Sequence, residues 1–140
     1  MGEEEFRRAV AEAEILKARL ETLLKQQELV GLTLEESLRS KETLTRYREA
    51  GPGEELLVPI GANSFLFARV GDPQKAIVGI GSDIAVEDSA QNAIDRLTRQ
   101  IEELKGALEA IQAKAGELDG ALQRQNAKVQ AMYDVLQPAG

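Results

Sequence analysis

Apolar residues in the first 50 positions recur at alternating steps of three and four. They run Ala9, Ala13, Leu16, Leu20, Leu23, Val30, Leu34 and Leu44, with Gln27, Ser37 and Lys41 at the remaining seam positions. A spacing that averages 3.5 residues and meets no proline predicts a coiled-coil helix. Gln27 and Lys41 at core-type positions read as register control. Towards the end of the segment, Leu38, Leu44 and Tyr47 offer a shifted stripe. Glu3, Glu4 and Glu5 suit the positive end of a helix dipole, and Gly51-Pro52-Gly53 stops the helix.

A second seam begins with Ala90 and Ile94. It continues through Leu97, Ile101, Leu104, Leu108, Ile111, Ala115, Leu118, Leu122, Val129, Met132 and Leu136, and Gln125 is its one polar member. Asp88 or Ser89 is the expected N-cap, with Gln91 completing a capping box on Asp88, and Pro138 marks the end. Folded back antiparallel, the two segments pair where residue numbers add to about 138, and each reaches about 70 Å at the α-helical rise. Gly31 then lies level with Gly106. Gly106, Gly116 and Gly120 fall at outward positions, where each costs about 1 kcal/mol against alanine. The expectation is an arm that is soft from this level outward; neutral occupancy of solvent-facing sites is the alternative.

Between the two seams the period changes to that of strands. Four are expected: Leu56–Ile60, Phe65–Val70, Lys75–Ile80 and Ile84–Glu87, paired as two tandem hairpins. Gly61 to Ser64, Gly71 to Gln74 and Gly81 to Asp83 form the breaks. The strands are apolar on both faces: Leu56, Val58 and Ile60 oppose Leu57, Phe65 and Phe67 oppose Leu66 and Val70, and Val78 and Ile80 oppose Ile77. Such a sheet must be covered twice, and the chain's own helices cover one face at most. Two lone hairpins are also marginal in water and leave open edges. Strands from other subunits are therefore expected to complete the sheet. The residues offered are Leu56, Val58, Ile60, Phe65, Phe67, Val70, Ile77, Val78, Ile80, Ile84 and Val86.

The resulting fold class is α+β. A long antiparallel two-helix coiled coil (1–50 and 89–140) flanks a double-hairpin oligomerisation module (51–88) that assembles into an intersubunit β-barrel. Composition agrees with such a thin structure: of 140 residues, 4% are aromatic and 29% charged. The net charge of −7 and the lack of any Lys/Arg run longer than a pair argue against nucleic acid. No apolar run approaches the ~20 residues of a bilayer span, and no export signal opens the chain, so a cytoplasmic protein without a membrane partner is expected.

With no Cys and no His, thiol nucleophiles, His-based triads and Cys/His metal sites are excluded. Gly79-Ile80-Gly81 lacks the third glycine and the strand-to-helix setting of a dinucleotide site. No catalytic, cofactor or metal site is expected. The chemistry that remains is apolar. Phe6 and Val10 near one end, and Met132, Tyr133, Val135 and Leu136 near the other, meet at one tip of the folded-back pair. They either cap the seam or present a sticky surface, since four apolar residues within five positions exceed what a two-stranded seam buries.

Two motifs, Val58-Pro59-Ile60-Gly61 within EELLVPIGANSFLFARV and Val78-Gly79-Ile80-Gly81 within KAIVGIGSDIAVE, lie between the two heptad helices. Over nearly the whole chain this pattern closely resembles the alpha class of the prefoldin family in its archaeal form. The beta class has a single hairpin. The resemblance implies a hexamer of two alpha and four prefoldin beta subunits, with hairpins joined into a double β-barrel and coiled coils hanging from it. It implies a molecular chaperone, without ATP, that holds unfolded polypeptides at the distal ends and passes them to a group II chaperonin in the cytosol. No chaperonin-contacting residue is assigned. The alternative is a scaffold subunit whose coiled coil docks one fixed partner.

Overall fold

The structure, a computed structural model, describes residues 2–137. In chain order the elements are α1 (Glu3–Glu49), β1 (Glu55–Gly61), β2 (Ser64–Arg69), β3 (Lys75–Gly81), β4 (Ile84–Ser89) and α2 (Ala90–Leu136). The strands form two separate antiparallel hairpins, β1–β2 and β3–β4. The chain falls into two compact units. One joins the residues up to Leu32 with those from Leu104 onward, and the other spans Thr33–Glu103.

In the first unit α1 and α2 run antiparallel. The rings of Phe6 and Tyr133 lie 6.3 Å apart, and the Gln125 side-chain amide donates to the Ala9 carbonyl at 2.9 Å. Its second acceptor is Glu12 Oε2, at 3.3 Å. These pairs lie close to the register in which residue numbers add to about 138. Ala9 and Ala115 are buried, while Leu16, Leu20, Leu23, Leu108, Ile111 and Leu118 are half-buried and their helix neighbours are exposed. Half-burial is the natural result of two helices meeting along one stripe. Each such leucine contributes about 1 kcal/mol, roughly half the value of a fully buried side chain. Gln125 can occupy a seam position because its amide is satisfied by α1.

The second unit holds the near ends of both helices and the two hairpins. Arg48 donates to the Gln91 side chain across the helix pair. The expected shift of the stripe towards Leu38 does not occur: Ser37 is 6% exposed and Leu38 43%. The three-four alternation runs unbroken through Leu34, Ser37 and Lys41, and a small serine lets the helices stay close there. Among the described residues no buried side-chain polar atom lacks a hydrogen-bond partner.

Gly51-Pro52-Gly53-Glu54 ends α1 in a turn closed by the Glu54 N–H on the Gly51 carbonyl at 3.1 Å, with Gly53 at φ +83°. Proline at the second position and a positive-φ glycine at the third are the requirements of a type II turn. The hairpin turns are tighter than the breaks expected from sequence. Ala62-Asn63 and Ser82-Asp83 are two-residue loops with φ of 50°, 57°, 52° and 59°. Positive φ at both central residues is the type I′ pattern, whose twist matches that of the flanking strands. The strands therefore extend to Gly61 and Gly81 on one side, and β2 starts at Ser64. The second hairpin repeats the first pair for pair. Val58↔Leu66 and Gly61↔Ser64 have their counterparts in Val78↔Val86 and Gly81↔Ile84, with a register shift before each glycine.

Ser89, not Asp88, caps α2: its Oγ accepts the Asn92 N–H at 3.0 Å. The expected Asp88–Gln91 box is absent because Gln91 instead bonds Asp95 and Arg48. Asp88 accepts from the Asn92 side chain at 3.0 Å and from the Ser89 N–H at 2.8 Å, and the Arg96 guanidinium lies 3.7 Å away. The Asn92 bond, then the Ser89 bond, and lastly Arg96 hold its carboxyl below the ordinary aspartate range, against a small desolvation effect. Pro138, expected to mark the helix end, lies outside the described residues.

Candidate functional site

Two surfaces stand out, one in each unit. The first is the helix tip. Antiparallel pairing brings Phe6 of the first turns of α1 to Tyr133 in the last turns of α2, with ring planes tilted by 38°. An apolar groove of about 310 Å³ lies beside them, lined by Gly2, Glu5, Lys128, Ala131, Met132, Val135 and Leu136. Of the expected tip residues, Met132, Val135 and Leu136 line this groove. Val10 lines the next groove along, with Ala13, Leu122 and Val129.

Exposure separates the tip residues. Phe6, Val10 and Met132 are half-buried, whereas Tyr133, Val135 and Leu136 are 46%, 83% and 40% exposed. The first three are packed against the helix pair; the others reach into solvent, including Leu136, which the heptad pattern had placed in the seam. Sequence reasoning did not pick out Gly2 or Ala131. The signal for Ala131 was its place one turn before Val135, while Gly2 approaches Leu136 through the backbone and has no side chain to reveal it.

The second surface is formed by the hairpins. Pairing puts Leu57, Pro59, Phe65 and Phe67 on one face of the first hairpin and Leu56, Val58, Leu66 and Ala68 on the other. In the second hairpin Ile77 faces away from Val78 and Val86. Leu56, Ala68, Ala76 and Val78 are half-buried. Phe67 and Ile77, at 77% and 76%, are almost bare, and Ile60, Phe65, Leu66, Ile80 and Ile84 are more than half exposed. Val86 and Val58 are less exposed than these.

Val70 departs from the expected assembly set. It lies beyond β2, is 5% exposed, and exchanges backbone hydrogen bonds with Gly53 and Glu54 at 2.8 and 2.9 Å. It lines a groove with Thr43, Tyr47 and Leu57, so its side chain is already used within its own chain.

Reactive chemistry is sparse. Among the described residues no group of three or more His, Cys, Asp or Glu could hold a metal ion, and no helix is long and apolar enough to cross a membrane. What these surfaces can do is bind apolar groups.

Comparison with known proteins gives this arrangement a family. A model of the prefoldin subunit matches residues 16–134. The prefoldin alpha subunit of Methanopyrus kandleri is 36% identical over 112 residues, 80% of this chain and 71% of that protein. That of Pyrococcus horikoshii is 35% identical over 109 residues, 77% of this chain and 74% of that protein. Among solved structures, the filamentous prefoldin of Methanocaldococcus jannaschii aligns with a TM-score of 0.68 at 22% identity, covering 87% of this chain and 98% of that one. The prefoldin beta subunit of Thermococcus strain KS-1 aligns at 0.60 and 18% identity, covering 96% and 95%. The fold likeness covers both helices and the strands between them, and the alpha-subunit relatives share the sequence over most of its length. The chain belongs to the prefoldin family, as a chaperone subunit that assembles with other subunits of that family.

Proposed function

We propose that this chain is the alpha-type subunit of an ATP-independent holdase. Its helix tips capture unfolded polypeptides, and the complex delivers them to a group II chaperonin in the cytoplasm. The observation that carries this reading is the tip itself, an apolar groove edged by Val135 and Leu136 with the exposed Tyr133 nearby, which the two-helix seam leaves open to solvent. A non-native client offers the same kind of surface. Each tip contact is weak, but arms gathered on one body raise the effective concentration of every further contact, so a client is held firmly while each contact stays labile. Met132 lines the groove, Phe6 backs Tyr133 and Val10 lines the adjacent groove, while Tyr133, Val135 and Leu136 touch the client.

Gathering the arms is the task of the hairpins. Their exposed apolar faces favour a barrel completed by beta subunits, in a hexamer of two alpha and four beta chains.

The test is suppression of aggregation of a denatured client by the assembled complex, intact and with residues before Ala11 and after Gln130 removed from this chain. Trimming should weaken protection of several unrelated clients together. Unchanged protection would remove the tip from the mechanism. Loss of one partner alone, with clients unaffected, would favour the fixed-partner scaffold.

A further inference from the structure

The outer side of α1 carries a second heptad pattern that neither the seam nor the tip uses. Ile15, Ala18, Thr22, Lys25, Leu29 and Leu32 follow alternating steps of three and four, and all six are exposed. At 100° per residue this stripe is centred on the side of α1 opposite the seam, although Ala18 and Thr22 also border a shallow groove with Leu23, Lys114 and Leu118. Ile15 is 53% exposed, Leu29 64% and Leu32 57%. Three large aliphatic side chains on the solvent side of a helix, in seam periodicity, depart from the polar outer face of an ordinary two-stranded coil.

We propose that this stripe docks an amphipathic helix whose apolar heptad seam is flanked by Lys and Arg. The reason is the charge beside it. One flank is the column Glu14, Glu21 and Glu28, acidic in three successive heptads and exposed throughout. The other flank is mixed, with Glu12, Arg19 and Gln26. Residues flanking a heptad seam choose the partner by charge, so an unbroken glutamate column selects a basic flank.

A second copy of this chain is a poor match. Paired antiparallel, the glutamate column would face itself; paired parallel, it would meet a flank with one arginine. An anionic lipid surface is repelled for the same reason. Lys25, in the middle of the stripe, calls for an acidic or amide residue at the facing core position. A single polar position of this kind sets register at some cost in stability. This site is separate from the tip and does not depend on client binding there.

The probes are two synthetic four-heptad peptides with the same apolar seam and one central aspartate, flanked by Lys/Arg in one and by Glu in the other. Each is titrated into the full chain assembled with its partner subunits, at low and high salt. The basic peptide should bind at one per copy of this chain, at least about tenfold tighter than its acidic counterpart, and weaken with salt. Leu29→Lys with Leu32→Gln should remove binding. Glu14→Lys with Glu21→Lys and Glu28→Lys should transfer the preference to the acidic peptide, so the proposal can be judged even if the leucine variant fails to fold. Equal binding of both peptides overturns it. So does binding lost on trimming the tip but kept in the stripe variants. Concentration-dependent self-association abolished by the stripe variants would make a second copy the occupant and also overturn it, as would binding to phosphatidylserine vesicles in place of the peptide.

Discussion

Asp88 and Ser89 show how two side chains hold the junction between β4 and α2. Ser89 Oγ satisfies the Asn92 N–H, one of the donors that a helix start leaves open, and Asp88 ties the Asn92 side chain back to the strand. Ser89→Ala should cost about 1 kcal/mol, seen as a lower melting temperature. The Asn92 and Ser89 hydrogen bonds hold the Asp88 carboxyl below the ordinary aspartate range. Its contribution is therefore fully present above the unfolded-state value and is lost as pH falls through the lower, folded value. Hydrogen exchange at the Ser89 and Asn92 amides, followed from neutral pH down through that range, should lose protection on acidification. Asp88→Asn should flatten the profile.

At the scale of elements, the helices are continuous despite three glycines in α2. A Cβ added at Gly106 or Gly116 would meet nothing within 4 Å, and the same holds at Gly31. Neither position is a close approach and neither has positive φ. Gly106→Ala and Gly116→Ala should therefore each stabilise by up to about 1 kcal/mol, measured by thermal unfolding. The division into compact units falls at Leu32 and Leu104, beside Gly31 and Gly106. If the glycines serve softness, the alanine variants should also slow amide exchange from these positions to the tip. If they are neutral, melting rises while client protection is unchanged.

The whole molecule is incomplete as a single chain. Its hairpins expose Phe65, Phe67, Ile77, Ile80 and Ile84 at once, which no stable monomer leaves in water without another use for them. Phe67→Glu places a charge on the barest apolar face. The expected outcome is a smaller species by native mass spectrometry, with the helical signal of the coiled coil retained. A variant that still assembles to full size would show that this face is not at a subunit boundary. If the hairpins gather the arms as proposed, the same variant should lose client protection even though its tips are untouched.

The chain alone determined the period of each element: three-four alternation for α1 and α2, runs apolar on both faces for the strands, and punctuation by Gly51-Pro52-Gly53. These are local properties, repeated often enough to be read along the chain. The antiparallel register was also legible, because two seams leaving one joint can meet in only one way. What only the tertiary structure decided depended on which neighbour each group found. Ser89 took the cap that Asp88 could have filled, since Gln91 was drawn to Asp95 and Arg48. Val70 turned inward because Gly53 and Glu54 paired with its backbone, a contact between residues far apart in sequence. At the tip, the sequence supplied six apolar residues but did not rank them. Two helices bury a single stripe, and that geometry alone divided them into Phe6, Val10 and Met132, packed against the helix pair, and Tyr133, Val135 and Leu136, reaching into solvent.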